Sequence, residues 1–259
     1  MDVQQTRARS FGQVAGDYEA FRPGPPLDAV DWILSTPVVS AVDLGAGTGA
    51  LSRLLVERVP DVIAVEPDAA MRAVLQAGIP GLDVREGTGE QIPVADGSID
   101  AIIASSSWHW VEPEAGLAEA ARALVPGGIL AALWTGPDPD GVFMQQAQAV
   151  LRSTGTADSE LRATVSGDRN PARTVLEVAD DGVFTPPANE QFRFVLDLTA
   201  DQLIGLLSTL SWIILLEPER RARLFDTARR LLRDGLGVEG EVTAAVDFVC
   251  DAYRSQRIP

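Results

Sequence analysis

Apolar residues follow two rhythms along this chain. Short runs rich in β-branched side chains occur at residues 38–43 (VVSAVD), 62–65 (VIAV), 82–85, 99–104 (IDAIIA) and 129–134 (ILAALW). Between them, over residues 50–58, 69–78 (AAMRAVLQAG) and 113–124, apolar positions recur every three or four residues, as one face of a helix demands. Strands that are apolar on both faces and separated by helices predict a mostly parallel sheet covered on both sides. A break follows at residues 135–141, TGPDPDG. Beyond it the pattern is helical over 144–153, polar over 166–173 and helical again over 203–216. Residues 189–198 (NEQFRFVLDL) and 244–254 (AAVDFVCDAYR) alternate enough for two late strands. The expectation is an α/β fold, a Rossmann-like doubly wound sheet of seven strands, with helices from the C-terminal half forming a cap. No internal repeat or low-complexity segment interrupts it.

Composition narrows the class. A chain of 259 residues can bury one large core, and its longest apolar runs are far short of a membrane span. The N-terminal stretch lacks the apolar block of a secretion signal. A single cysteine, Cys250, precludes an intramolecular disulfide and fits a reducing cytoplasm. The formal charge is −16, and all 21 cationic side chains are arginine. Lysine Schiff-base chemistry and lysine-dependent phosphate loops are thereby excluded. An acidic chain also repels polyanions, which argues against nucleic acid as a partner. The arginine-rich run at 219–234 reads as the wet face of an amphipathic helix.

The chemistry centres on VDLGAGTGALSRLL, residues 42–55, which places Gly45, Gly47 and Gly49 directly after the first strand. Such a loop brings backbone close to a phosphate, a dinucleotide or a sulfonium nucleoside. The phosphate-loop reading needs a lysine that is absent. The dinucleotide reading survives on the loop alone, because G-x-G-x-x-A is satisfied and Glu66 follows 21 residues after Gly45. The segments downstream choose between the two. VIAVEPDAAM, REGTGEQIPVADGSIDAIIASSSWHWV and GLAEAARALVPGGILAALW follow in order. Together with the glycine loop, the set resembles the class I S-adenosylmethionine-dependent methyltransferases, in their small-molecule branch known as methyltransferase type 11. FGQVAGDYEAFRPGPP near the start resembles that branch's N-terminal lid, and LSWIILLEPERRARL with AYRSQR resembles its cap and last strand. The resemblance implies one methyltransferase domain over 1–259, with a lid at 1–30, a cofactor-binding core at 36–135, a cap with a late strand at 136–240 and the final strand at 241–259.

Residue by residue, the resemblance implies that Gly45, Ala46, Gly47 and Gly49 border the amino-acid end of S-adenosylmethionine, with Asp43 ordering the loop and meeting the ammonium directly or through water. Glu66 takes the ribose hydroxyls in charge-assisted bonds, and Pro67 and Met71 pack on the purine, although Met71 also suits an ordinary core. Where the family often has an aspartate for the adenine amino group, this chain has Thr88, Gly89 and Glu90. Ser105 and Ser106 face the methyl-donor end. Tyr18 and Arg22, in Y-x-x-x-R-P, either close over the cofactor or belong to a packed helix. His109, the single histidine, lies where substrates enter such sheets. It can serve as a general base or hydrogen-bond within the fold. Trp108, Trp110, Trp134, Phe143 and Trp212 are expected to line the pocket of an apolar or planar small-molecule acceptor. No metal is called for, and the enzyme is expected to act as a monomer or homodimer. Displacement at a sulfonium methyl needs alignment more than a catalytic acid or base. A fold that only binds the cofactor or a metabolite, or serves as a cyclase or decarboxylase, is the competing reading.

Overall fold

In a computed structural model the described residues are 15–153, 161, 164, 175–179 and 182–259. Residues 1–14 of the expected lid and the polar stretch 166–173 therefore lie outside them. Two short helices, α1 (Ala15–Phe21) and α2 (Leu27–Ile33), precede the sheet. Then come β1 (Ser40–Leu44), α3 (Ala50–Leu55), β2 (Asp61–Val65), α4 (Ala69–Gly78), β3 (Asp83–Arg85), β4 (Ile99–Ser105), α5 (Pro113–Ala123) and β5 (Leu124–Pro137). The later half contributes α6 (Val142–Ser153), β6 (Ala188–Thr199), α7 (Ala200–Ser208), α8 (Ser211–Ile214), α9 (Pro218–Arg230) and β7 (Thr243–Gln256).

The seven strands form one sheet in the order β3-β2-β1-β4-β5-β7-β6. β1 to β5 pair in parallel, whereas β7 runs antiparallel to both β5 and β6. β7 is thus the one reversed strand. Alternation along each central strand feeds two cores. Ile102 and Ala104 of β4 join Leu130, Ala132 and Trp134 of β5 under α5, with Ala120 and Ala123. Ala101 and Ile103 face the other way, onto Val30 and Ile33 of α2 and Leu51 and Leu55 of α3. Each fully buried Val, Leu or Ile among them contributes about 1.5–3 kcal/mol, which is why the parallel strands read as unbroken apolar runs. β6 is an edge strand and only half-buried on alternate residues, in keeping with its alternating sequence.

Several boundaries differ from the sequence reading by a few residues, and two of them by more. β5 runs from Leu124 to Pro137, beyond the apolar run at 129–134, because antiparallel pairing with β7 carries it from Ile129 opposite Gln256 to Pro137 opposite Phe248. The expected helix over 203–216 is two helices. Ser208 Oγ donates to the Gly205 carbonyl and Thr209 Oγ1 to the Leu206 carbonyl, at 2.6 and 2.7 Å. Hydroxyls that take helix carbonyls compete with the backbone ladder, and Leu210 then adopts extended backbone before α8.

Candidate active site

The loop after β1 is built by positive backbone angles. Gly45, Gly47 and Gly49 have φ of 68°, 57° and 96°, a region L-residues enter only at a cost. The Gly45 and Ala46 N–H groups donate to the Val65 carbonyl at 2.8 and 3.1 Å, which ties the loop to the end of β2. A Cβ on Gly45 would lie 2.4 Å from Ser107 Cβ, and one on Gly49 would lie 2.3 Å from Leu75 Cδ1. Side-chain-free backbone is what lets this loop fit between the β4 loop and α4.

Glu66 directly follows β2 and is only 7% exposed. The Gly47 N–H donates to its Oε2 and the Asp68 N–H to its Oε1, both at 2.9 Å. Burial raises the Glu66 pKa, and the two backbone N–H groups pull it back toward the ionised form. Asp68 also caps α4, accepting from the Ala70 and Met71 N–H groups at 2.9 and 3.0 Å. Beneath the loop, Asp43 is buried and accepts from Ser52 Oγ at 2.6 Å. Burial pushes its pKa up to about 7, against the Ser52 hydrogen bond and with the Glu66 charge adding to the rise.

A cavity of about 430 Å³ opens along the C-terminal ends of the parallel strands. Gly45, Gly47, Glu66, Pro67, Met71, Thr88, Gly89, Glu90 and Ser105 line one stretch of it, joined by Arg22 from the segment after α1. His109, Trp110, Trp134, Phe143 and Trp212 line the remainder. Four expected residues stay out of the lining. Asp43 is covered by the loop it supports. Ala46 packs with Ala64 and Leu75, and Gly49 caps the start of α3. Trp108 does not line the pocket: its indole is 6% exposed and belongs to the core beneath α5, because a one-turn 3-10 helix at Trp108–Trp110 turns it inward while His109 and Trp110 face the cavity. Tyr18 lies on α1, with its side chain outside the described set. Glu90 has a second task, accepting the Glu112 N–H at 2.8 Å ahead of α5.

His109 is held by its neighbours. Trp134 Nε1–H donates to His109 Nδ1 at 3.2 Å. An indole N–H can only donate, so the neutral ring carries its proton on Nε2. Burial, and then the Arg22 charge, lower the His109 pKa to about 4. The imidazole is therefore neutral at physiological pH and a weak base.

The sequence reading left out Ser107 and Asp68. Ser107 Oγ donates to the Leu44 carbonyl and its Cβ fills the space opposite Gly45; the side-chain-free position at Gly45 was the signal that something packs there. Ser106, which lines the cavity, has φ 55°, the sole non-glycine at positive φ among the described residues. Strain of this kind collects at ligand sites. Gly87, which also lines the cavity, and several aliphatic residues of the cap were likewise missed.

Residues 42–132 match the family model of the methyltransferase domain. The chain is 35% identical over 246 residues to an uncharacterized methyltransferase of Mycobacterium tuberculosis, with 95% of each chain covered. This chain belongs to the methyltransferases. A methyltransferase of Schizosaccharomyces pombe, also uncharacterized, is 25% identical over 256 residues, covering 97% of this chain and 98% of that one. A solved structure provisionally described as a type II methyltransferase, from Anaeromyxobacter dehalogenans, superposes with a TM-score of 0.57 at 23% identity, over 92% of this chain and 99% of that one. That likeness shows the fold: the methyltransferase has the class I architecture. Class I enzymes use S-adenosylmethionine. Among the described residues, no helix of the methyltransferase is long and apolar enough to cross a membrane.

Proposed function

We propose that this methyltransferase binds S-adenosylmethionine along the Gly45–Glu66 stretch of the cavity and transfers its methyl group to a small-molecule acceptor by in-line displacement. The geometry of Glu66 carries the reading. Each carboxylate oxygen spends one lone pair on a backbone N–H and keeps a second. The group is thus fixed, buried and able to accept from two adjacent hydroxyls, the pattern a ribose presents. Pro67 and Met71 supply an apolar wall for a flat base, and the backbone of Gly89 lies along the same wall for its edge, while Thr88 is tied to Gln91 through both backbone groups. Asp43, buried next to the loop with its pKa raised to about 7, holds Ser52 at the start of α3 and so fixes the loop that borders the amino-acid end.

Bound there, the donor supplies a sulfonium methyl, an electrophile whose leaving thioether needs no proton. The protein's work is therefore alignment and exclusion of water, worth several kcal/mol in such reactions. His109 lines the acceptor site as a neutral ring rather than a base, because its lowered pKa and the Trp134 bond at Nδ1 work against proton abstraction. An acceptor that sheds a proton passes it to water.

Calorimetry with S-adenosylmethionine tests the cofactor assignment. Micromolar binding is expected, weakened at least a hundredfold in Glu66→Ala, in line with two lost charge-assisted bonds of about 1.5–3 kcal/mol each. Binding of a nicotinamide dinucleotide in its place would overturn it. Release of S-adenosylhomocysteine in a metabolite screen identifies the acceptor.

A further inference from the structure

The cap is built around a hole. Phe143, Ala147, Leu203, Leu206, Val246 and Phe248 are each 8% exposed or less and belong to the cap's own hydrophobic cluster, yet each also lines the cavity. Protein interiors pack to crystal-like density with few voids larger than a water. An apolar recess of this kind suits an apolar occupant. Charge is distributed to match. The charged lining side chains, Arg22, Glu66, Asp68 and Glu90, all precede His109 in the chain, and none of the described lining residues from Val111 to Phe248 is charged. A carboxylate or ammonium pushed into that half would lose hydration and find hydroxyls such as Thr135 and Ser211 but no opposite charge to pair with among the described lining residues. Helix geometry agrees. The last turn after α9, Leu231–Gly235, is a π-helix that sets Leu231 and Leu232 in the cavity wall, and π turns of this sort gather at functional sites.

We infer that the methyl acceptor carries an uncharged aliphatic chain, that this chain is buried in the cap between α6, α7 and β7, and that only the reacting head lies near His109 and Ser105. The inference rests on the methyl-transfer reading above and names its substrate class.

The test uses the full chain and an uncharged fluorescent probe, N-phenyl-1-naphthylamine, displaced by 1-alkanols from four to twelve carbons. Affinity should rise about fourfold per added methylene and level off once the chamber is full. Ala147→Phe should abolish probe binding while leaving S-adenosylmethionine affinity unchanged. Leu206→Ala should move the plateau to longer alkanols; with the wild-type series, it keeps the test standing if Ala147→Phe does not fold. Affinity independent of chain length, or displacement by citrate as strong as by decanol, would overturn the inference. Calorimetry on the same samples separates the two readings. Donor binding without the alkanol series defeats this inference alone, whereas alkanol binding without donor binding defeats methyl transfer.

Discussion

His109 and Glu66 show how much a residue's role depends on which of its atoms are already engaged. In the sequence the histidine is a possible base; in the fold, Trp134 occupies Nδ1 and burial disfavours the cation. The unfolded chain takes up this proton near pH 6.5, whereas the native state takes it up only near pH 4. Its contribution to stability is therefore complete above pH 6.5 and is lost as pH falls to about 4. Because the chain has one histidine, its Hε1 resonance can be followed alone by NMR. The expected midpoint is about 4. Trp134→Phe, which removes the donor that stabilises the neutral ring, should raise it. A wild-type midpoint above 6 would show an exposed imidazole and return the general-base role to consideration. That Glu66 would line the cavity was legible from its place after the second strand. Its fixing by Gly47 and Asp68 was not, because backbone donors leave no trace in side-chain identity.

At the scale of elements, local chemistry and packing divide the work. The helix over 69–78 matches its sequence pattern end to end, since Asp68 caps it and its apolar face carries Met71 and Leu75. The helix over 203–216 breaks because two hydroxyls capture carbonyls at its middle, a choice that periodicity does not encode. The glycine loop separates two kinds of need. At Gly49 a side chain meets strain at φ 96° and Leu75 at 2.3 Å. Gly49→Ala should therefore cost about 2–4 kcal/mol in urea unfolding, the sum of a left-handed residue and an overpacked core. At Gly45 the added Cβ meets Ser107 on the β4 loop. Gly45→Ala should shift that wall and weaken S-adenosylmethionine at least tenfold by calorimetry. An unchanged affinity would place the donor away from this loop.

Across the whole molecule, the sheet brings residues from position 22 to position 248 to one cavity. A ligand that bridges such distant segments stabilises only the native state. At a hundredfold excess over its Kd, S-adenosylmethionine should add about 2.7 kcal/mol, or about 5–10 °C in Tm for a chain of this size. Scanning calorimetry that shows no shift at that excess would count against a donor site spanning these segments. What the sequence by itself determined is whatever depends on neighbours along the chain: strand and helix rhythm, the glycine loop, the acid after the second strand, and so the fold and the methyltransferase family. Tertiary structure alone decided which way Trp108 points, which nitrogen of His109 is taken, and that the cap's leucines enclose space instead of filling it. Those outcomes depend on contacts between residues far apart in sequence, and hydrophobicity read along a chain records that a side chain is buried without recording what it is buried against.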